Sequence, residues 1–247
     1  MKIVYFANSN MRGNEAGRKE LRKREERLRS LVSPGVEIGL VDNPDGPLCI
    51  ESARDEIQAL PGVARNLSAA ADQGVDAGVL GCAGDPGYHS LRELVTFPLV
   101  GAGHTAIHMA ALMGDRFSIY TPLDSTIAPT RKLVEDTGLL LHLASIRPIN
   151  IPVLEIRTPP QEVFETLVTQ GRRMVEEDGA DCLILGCMSI AFQGFAETLG
   201  RRLGVSIIDP VAVSVTLAES LARIRLSHSP RFYHRKNPGG CVPAAAG

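Results

Sequence analysis

Short apolar runs alternate with longer amphipathic or charged segments along the whole chain. Eight of the apolar runs are bounded by turn residues such as Gly, Asn, Asp and Pro, the pattern of buried strands. They cover 2–7, 36–41, 77–81, 98–101, 117–121, 141–146, 182–185 and 205–209. Helical segments are predicted between them over 14–32, 52–73 with an interruption at Pro61-Gly62, 104–113, 128–137, 161–177, 192–203 and 211–224.

Strands that alternate with helices at this spacing predict parallel sheets joined by right-handed crossovers. The order strand-helix-strand-helix-strand-Gly-Cys occurs twice. We therefore predict an α/β fold with two pseudo-symmetric lobes, each a short, mainly parallel sheet flanked by helices, and an active site in the cleft between them. Residues 1–98 with 209–226 are expected to form the first lobe and 99–208 the second. Composition predicts that 227–247 is a disordered tail.

The first predicted helix, 14–32, is rich in charge. Acidic and basic residues recur four positions apart, as Glu15/Lys19, Glu20/Arg24 and Glu25/Arg29. This spacing favours ion pairs along one helix surface. Only a narrow leucine stripe remains for packing, so we expect a surface helix with a solvated charged face. The balance of opposite charges disfavours a nucleic-acid site.

Two cysteines end predicted strands at matching points of the internal repeat. Leu80-Gly81-Cys82 closes the third strand, and Leu185-Gly186-Cys187 closes the seventh. Ligands bind beyond the carboxyl ends of parallel strands. A thiol there that precedes a helix N-terminus is expected to have a stabilised thiolate. The two matching contexts indicate a paired site. Cys49, Cys182 and Cys241 lack this context.

Length and composition set limits on the class of protein. The 247 residues carry a formal net charge of −2 and contain five cysteines without C-x-x-C or zinc-finger spacing. These values give no general attraction to nucleic acid or to anionic membranes. No apolar run has the length of a membrane span, and Met1-Lys2-Ile3 leads directly into the first strand. We expect a reduced, cytoplasmic protein.

Common cofactor and metal motifs are absent from the sequence. Neither a dinucleotide-binding nor a P-loop glycine pattern follows the first strand, and no G-x-S-x-G elbow occurs. His104 and His108 lie four positions apart, but Thr105 replaces the glutamate of the H-E-x-x-H pattern. A structural role is favoured for both histidines, with His104 near the cleft mouth as a candidate substrate contact.

On these residues the chain resembles the aspartate/glutamate/hydantoin racemase superfamily, and within it the hydantoin and allantoin racemase branch. The resemblance runs from Lys2 to about Leu221. It is carried by Asn8-Ser9-Asn10, Gly46-Pro47 with Ile50-Glu51-Ser52, Gly81-Cys82-Ala-Gly-Asp-Pro-Gly87, His108-Met109, Arg116-Phe-Ser-Ile-Tyr-Thr121, Leu185-Gly-Cys187 and Ile208-Asp209-Pro-Val211. The superfamily's amino-acid racemases usually have Asn-Thr after the first cysteine. Ala83-Gly84-Asp85 stands here instead, which favours a cyclic ureide over aspartate or glutamate.

The resemblance implies a cofactor-independent, metal-independent racemase in which Cys82 and Cys187 exchange the α-proton of a small-molecule substrate as thiolate and thiol. Backbone amides of Ala83, Gly84, Met188 and Ser189 are candidates to stabilise the enolate. Asn8 and Thr121 are candidates to hold the ureide edge, and Pro47 belongs to a loop that closes over substrate. A homo-oligomer is a further expectation of the family.

Three alternatives to a hydantoin or allantoin racemase stay open at this point. Two share the fold: an aspartate/glutamate-type racemase, and a decarboxylase or cis–trans isomerase that uses one cysteine. The third is a small-molecule-binding protein without turnover. A decarboxylase needs only one proton donor, so the retention of both thiols argues mildly against it.

Overall fold

The computed structural model describes residues 1–13, 15–156 and 161–234. Within these ranges the strands form two four-stranded sheets, and every strand pair is parallel. The first sheet contains β1 (Lys2–Ala7), β2 (Glu37–Val41), β3 (Ala77–Gly81) and β4 (Leu99–Gly101), in the order β2-β1-β3-β4. The second contains β5 (Phe117–Thr121), β6 (Leu143–Pro148), β7 (Cys182–Leu185) and β8 (Ser206–Ile208), in the order β6-β5-β7-β8.

Ten α-helices connect and flank the described strands. They are α1 (Glu15–Leu31), α2 (Ala53–Ala71), α3 (Tyr88–Arg92), α4 (Ala102–Met113), α5 (Ile127–Thr137), α6 (Val153–Ile156), α7 (Gln161–Glu176), α8 (Met188–Ala191), α9 (Ala196–Leu203) and α10 (Pro210–Arg223). The two-lobed α/β prediction is confirmed. No helix in the described part of the chain is long and apolar enough to cross a membrane.

The same topology repeats in both sheets, and it places both Gly-Cys segments at carboxyl edges. Ala7 pairs with Gly81 at the end of β1 and β3, so Asn8 and Cys82 leave the first sheet side by side. Tyr120 pairs with Leu185 in the second sheet, just before Cys187. In each sheet the first strand lies inside, and later strands are added on both sides of it. This reversal of the strand order leaves a crevice at the carboxyl edge of the sheet.

The two lobes share one hydrophobic core. Ile3 from the first sheet and Leu183 from the second belong to the same cluster of buried side chains as Val211 and Val215 of α10. That helix begins at Pro210, which suits the first helical turn, and Asp209 caps it by accepting from the Val211 amide at 2.9 Å. α10 packs against β3, β4 and α4. The shared core and α10 therefore hold one lobe against the other.

Several element boundaries differ from the sequence prediction. β4 pairs with β3 through Gly78 and Leu99, so residues 99–101 lie in the first sheet, beyond the predicted lobe boundary at 98. The helix predicted over 192–203 begins only at Ala196, as α9, after Gly194 at φ +76°. The separate short helix α8, which ends at Ala191, was not predicted. The short helices α3 and α6 were not predicted, because a single turn carries no periodic apolar signal.

The predicted interruption at Pro61-Gly62 is wrong, because α2 runs unbroken from Ala53 to Ala71. A proline removes one helical hydrogen bond and crowds the preceding turn. Here Asn43 holds the helix from outside, two residues before the proline, by donating from Nδ2 to the Ala59 carbonyl at 3.0 Å. Tertiary contact thus outweighs the local cost of the proline.

The prediction of disorder does not hold for the described part of the C-terminal tail, 227–234. Ser227 donates to the Thr96 carbonyl at 2.8 Å, and the Tyr233 hydroxyl accepts from Arg92 at 2.8 Å. These contacts hold the segment against α3 and the residues before β4. Residues 235–247 of the predicted tail lie outside the described residues.

Close packing of α4 against the segment after β3 depends on Gly103. A Cβ on Gly103 would lie 2.1 Å from the Ala83 carbonyl oxygen, which is backbone and cannot rotate away. We expect Gly103→Ala to lower the free energy of unfolding by about 2 kcal/mol through overpacking, measured by urea denaturation. The matched control is Gly39→Ala on β2, where no atom lies within 4 Å. An equal effect of both substitutions would contradict this account.

Candidate active site

Cys82 leaves the carboxyl end of β3 and begins a tight loop. The Asp85 amide donates to the Cys82 carbonyl at 3.1 Å, which closes the turn, and α3 starts only at Tyr88. The residue is partly exposed, and its sulfur accepts a hydrogen bond from the Gly84 amide. The thiol is thus presented from a loop, and the predicted position directly before a helix N-terminus does not hold for Cys82.

The loop that carries Cys82 is held to α4 through Asp85. One oxygen of this buried carboxylate accepts from the His104 amide at 2.6 Å and lies 2.9 Å from His104 Nδ1. Asp85 has φ +46°, a conformation that an aspartate adopts more readily than most residues. His104 does not line the cleft described below. In this structure it fixes the loop that positions the thiol.

Cys187 occupies the equivalent place in the second lobe but in a different local setting. It is the N-cap residue of α8, with extended backbone at φ −143°, and is 9% exposed. The first amides of a helix have no partner within the helix and carry partial positive charge. The predicted setting, a thiol beside a helix N-terminus, is therefore found at Cys187 alone.

Both thiols open into a single cleft between the lobes that encloses about 700 Å³ of space, including its mouth. Seven residues predicted for the site line it: Asn8, Cys82, Ala83, Gly84, Cys187, Met188 and Ser189. The first four come from the first lobe and the last three from the second. The cleft therefore brings together strand ends that are far apart along the chain.

Two residues predicted for the site, Pro47 and Thr121, do not line the cleft. The Pro47 carbonyl accepts from the Asn10 amide at 2.8 Å, so this residue anchors the base of its loop. Thr121 is fully buried at the end of β5, and its carbonyl accepts from the Ile149 amide at 2.9 Å. The next residue, Pro122, reaches the cleft instead, because successive residues of a strand point to opposite faces.

Asn8 has an orphaned side chain that faces the cleft. The residue is 2% exposed, and neither Oδ1 nor Nδ2 has a hydrogen-bond partner among the described residues. A buried amide without partners costs free energy, so such groups usually have a role. Asn8 offers one acceptor and one donor side by side. A ligand that presents a carbonyl next to an N–H satisfies both.

The loop before α2 spans the cleft mouth and is bound to the second lobe. Glu51 accepts from the Val153 amide through Oε1 at 2.6 Å and from the Ser125 hydroxyl through its carbonyl at 2.6 Å. Its neighbours Ile50 and Ser52 line the cleft. This is the loop that the sequence resemblance associates with closure over substrate. Its contacts here join the first lobe to the second across the cleft mouth.

Sequence reasoning missed several of the residues that line the cleft. They are Ser9, Arg24, Ile50, Ser52, Glu56, Gly81, Pro122, Thr126, Pro129, Thr130, Val153 and Gly186. Ser9, Ile50, Ser52, Gly81 and Gly186 lie in the segments that carry the resemblance, but no site role was predicted for them. Arg24 had a signal of its own. Arg24 lies three positions after Leu21 and four before Leu28, and therefore on the apolar stripe of α1 instead of its charged face. A charged residue on such a stripe indicates a buried partner.

The predicted solvated surface of α1 is wrong at Arg24, which is buried. Its side chain is buried, with Nε 3.0 Å from Glu20 Oε1 and Nη2 donating to Ser189 Oγ at 3.0 Å. The guanidinium also lies 4.5 Å from the centre of the Phe192 ring. It therefore links α1 of the first lobe to α8 of the second, and its charge is already balanced by Glu20.

The carboxylate of Glu56 forms part of the cleft wall next to Cys82. Its Oε1 lies 2.9 Å from the position that a Cβ would take on Gly84, and the carboxylate faces the cleft. Burial raises the pKa of Glu56 above the ordinary value, and neighbouring Asp55 adds to the rise. Glu56 also acts on the thiol, because its negative charge opposes the formation of a second negative charge nearby.

Burial is the largest influence on the Cys82 thiol, and it raises the pKa well above that of an ordinary cysteine. The Gly84 amide opposes the rise, whereas the charges of Glu56, Asp85 and Cys187 add to it. The predicted stabilised thiolate at Cys82 is therefore wrong for this structure. Cys187 adds to the rise because a thiolate there would oppose the formation of a second thiolate at Cys82.

The histidine pair has other partners. His104 Nδ1 contacts Asp85, and His108 Nδ1 lies 2.8 Å from the His104 carbonyl. No group of three or more His, Cys, Asp or Glu side chains in the described ranges is placed to hold a metal ion.

The chain is similar to racemases in sequence and in fold. Residues 12–218 match the family model for Asp/Glu/Hydantoin racemase. A hydantoin racemase from Pseudomonas sp. (strain NS671) is 35% identical over 197 residues, which cover 80% of this chain and 78% of that protein. Allantoin racemase structures from Klebsiella pneumoniae and Pseudomonas fluorescens match with TM-scores of 0.88 and 0.89 and 30% identity. These matches cover 98% of this chain and 96% and 100% of theirs.

The chain belongs to the Asp/Glu/Hydantoin racemase family. The relatives place it with the hydantoin and allantoin racemases, so it is an isomerase of the racemase type. The family resemblance predicted from the two Gly-Cys segments is confirmed.

The electrostatic effect of Glu56 on Cys82 is testable by thiol chemistry. Glu56→Gln removes the charge and keeps the shape, so we expect the pKa of the Cys82 thiol to fall. Roughly threefold faster alkylation of Cys82 by iodoacetamide would correspond to a decrease of about half a pKa unit. The rate is followed by mass spectrometry of the Cys82 peptide. Glu93→Gln, an exposed carboxylate at the end of α3, is the control; slower alkylation of the Glu56 variant would contradict the prediction.

Proposed function

We propose that this protein inverts the α-carbon of a 5-substituted hydantoin or a related cyclic ureide such as allantoin, with Cys82 and Cys187 as the two bases. One observation carries the proposal: thiols from two different sheets line one cleft. Inversion requires a base on each side of the reacting carbon, and two facing strand ends supply this arrangement. The hydantoin and allantoin racemases among the relatives support the same reaction.

The proton transfer needs one thiolate and one thiol at the start. The thiolate removes the α-proton from one face and becomes a thiol. The electron pair moves onto the adjacent carbonyl to give an enolate, and the opposite thiol then protonates the carbon and becomes a thiolate. The charge interaction between Cys82 and Cys187 disfavours ionisation of both thiols at once. Each inversion takes one proton and returns one, so no net proton is consumed, and the site is left in the protonation state that acts on the opposite enantiomer.

Backbone amides of α8 are positioned to stabilise the enolate. Met188 and Ser189 form the first turn of that helix and line the cleft, where their amides have no partner within the helix. Hydrogen-bond donors fixed where negative charge develops lower the barrier more than mobile water does. The Gly84 amide is already directed at the Cys82 sulfur and stabilises that thiolate instead.

The chemistry of the cleft favours an uncharged ring over a free amino acid. The paired donor and acceptor of Asn8 complement the N–H and carbonyl of a ureide edge. Among the described residues that line the cleft, Arg24 is the one cation, and Glu20 already balances it. The carboxylate of aspartate or glutamate would instead face Glu56. Such a juxtaposition of like charges in a half-buried site is unfavourable.

A panel of substrates tests the proposed function. Optical rotation should decay with 5-substituted hydantoins or allantoin, and it should not decay with L-aspartate or L-glutamate. Incorporation of deuterium at the α-carbon provides a second measurement. A binding protein without turnover would raise its melting temperature with ligand but leave the α-hydrogen unexchanged. Racemisation of aspartate or glutamate alone would favour the amino-acid racemase alternative.

Substitution of each cysteine tests the two-base mechanism. We expect Cys82→Ser and Cys187→Ser each to reduce racemisation at least about a hundredfold, because each removes one proton-transfer group. With one base left, each variant should still exchange the α-hydrogen of one enantiomer, without inversion, and the two variants should prefer opposite enantiomers.

Cys182→Ala is the matched control for these variants. Cys182 is a fully buried thiol on β7 that packs in the core and does not line the cleft. This variant should racemise at nearly the wild-type rate. Retention of racemase activity by either serine variant would exclude the two-base mechanism for this protein.

A further inference from the structure

The contact between Arg24 and Ser189 determines in which direction the serine hydroxyl can donate. Arg24 Nη2 lies 3.0 Å from Ser189 Oγ, and both residues are buried. A guanidinium carries five N–H donors and no acceptor, so Ser189 Oγ has to accept this hydrogen bond. The hydroxyl hydrogen of Ser189 therefore points away from Arg24 and is available to another acceptor.

The described residues supply no acceptor for this hydrogen. Arg24 is the one hydrogen-bond partner of the Ser189 hydroxyl among them. Serines within helices often donate to the carbonyl four residues earlier. Ser189 is only the second residue of α8, after the N-cap Cys187 and Met188, so no helical carbonyl lies at that distance. Ser189 does line the cleft. An oxygen of a bound ligand can therefore accept from its hydroxyl.

Ser214 shows how a purely structural serine is satisfied in this fold. It is fully buried in α10, and its hydroxyl donates to the Pro210 carbonyl, four residues earlier, at 2.5 Å. Ser214 does not line the cleft. A buried serine in this protein is therefore able to use its hydrogen within its own helix. Ser189 differs because it accepts from a charged side chain of the other lobe and borders the cleft.

Two further contacts hold Arg24 against this hydroxyl. Its Nε lies 3.0 Å from Glu20 Oε1, and its guanidinium carbon lies 4.5 Å from the centre of the Phe192 ring. The side chains of Arg24 and Glu20 are only 4% and 2% exposed, so water screens this arrangement weakly. Hydrogen bonds from a charged donor are stronger than those between neutral groups. Donation from Arg24 also polarises Ser189 Oγ and makes its hydroxyl a better donor.

We propose that Ser189 is a catalytic residue whose hydroxyl donates a hydrogen bond to the enolate oxygen, with Arg24 as the positioning residue that holds and polarises it. The inference rests on the proposed function and adds a side-chain donor to the backbone amides of α8. The first turn of α8 carries Ser189 two residues after Cys187, in the same cleft wall. A carbonyl next to the carbon attacked by Cys187 is thus presented to this turn.

The hydroxyl keeps its own proton throughout the reaction. One thiolate takes the α-proton, the C–H electron pair moves onto the carbonyl oxygen, and that oxygen then accepts a stronger hydrogen bond from Ser189 Oγ. When the opposite thiol protonates the carbon, the electron pair returns and the hydrogen bond weakens. A donor fixed before the charge develops lowers the barrier, because it does not have to reorient during the reaction.

Ser189→Ala tests the hydroxyl, because it removes the side-chain donor and keeps the backbone amide. We expect kcat for racemisation of a hydantoin or allantoin to fall roughly a hundredfold with KM changed by less than about threefold, since the donor acts mainly on the enolate. Optical rotation gives both constants. The matched control, Ser214→Ala, should racemise at nearly the wild-type rate. Wild-type activity in a folded Ser189→Ala variant would overturn the inference.

Exchange of the α-hydrogen separates stabilisation of the enolate from a displacement of Cys187. In deuterated water, Ser189→Ala should slow inversion and exchange without inversion by the same factor for both enantiomers, because every path passes through the same enolate. A shift of Cys187 would instead lower inversion relative to exchange and affect the two enantiomers differently. That second pattern would assign Ser189 a structural role only.

Arg24→Lys tests the positioning role. A single ammonium cannot serve Glu20 and Ser189 together as the guanidinium fork does, so we expect kcat to fall about fivefold in the wild-type background. The same substitution should have almost no effect in the Ser189→Ala background, because the hydroxyl through which Arg24 acts is gone. An equal loss in both backgrounds would contradict the role of Arg24 as a residue that acts through Ser189.

The same assays separate this inference from the proposed function. A wild-type protein that racemises no cyclic ureide would refute the proposed function and the role of Ser189 with it. A wild-type protein that racemises a ureide, together with an equally active Ser189→Ala variant, would refute the role of Ser189 alone.

Discussion

The repulsion that two thiolates would experience in one partly buried cleft is the constraint on which the site depends. Burial opposes ionisation of Cys82, and the charge of Cys187 opposes it further. Two simultaneous thiolates are therefore disfavoured. The proposed two-base proton transfer needs only one thiolate and one thiol, so it does not require both cysteines to ionise. The surrounding structure has to allow one of the two thiols to ionise, and it has to keep both sulfurs beside the same substrate carbon.

Several cross-lobe contacts meet this requirement. Arg24 joins α1 to α8 through Ser189, and Glu51 joins the loop at the cleft mouth to the second lobe. The core is also shared, because α10 packs on the first sheet and contributes to the same buried cluster as the second. On the Cys82 side, Asp85 and His104 tie the loop to α4. The cleft is accordingly braced by contacts from both lobes, and the charge of Arg24 in its wall is already balanced by Glu20.

The two halves reach similar positions by different local means. Gly81 makes room for the Tyr5 ring, whereas a Cβ on Gly186 would lie 2.3 Å from the Tyr120 carbonyl oxygen. Cys82 lies in a loop with one amide directed at its sulfur, whereas Cys187 caps a short helix. The internal repeat therefore gives the two sulfurs equivalent positions in their lobes. The contacts around each sulfur are nevertheless different. Equal reactivity of the two cysteines does not follow from the matching sequence.

The sequence by itself determined the alternation of strands and helices, the two-lobed fold and the placement of both cysteines at strand ends, because apolar periodicity and turn residues are local signals. It also indicated Asn8 and the residues after each cysteine. Tertiary structure alone decided that Arg24 turns inward, that Glu56 lies beside Cys82 and that Thr121 does not line the cleft. It likewise decided that burial raises the pKa of Cys82. Desolvation and charge interactions depend on neighbours that are distant in the chain, and no local pattern encodes them.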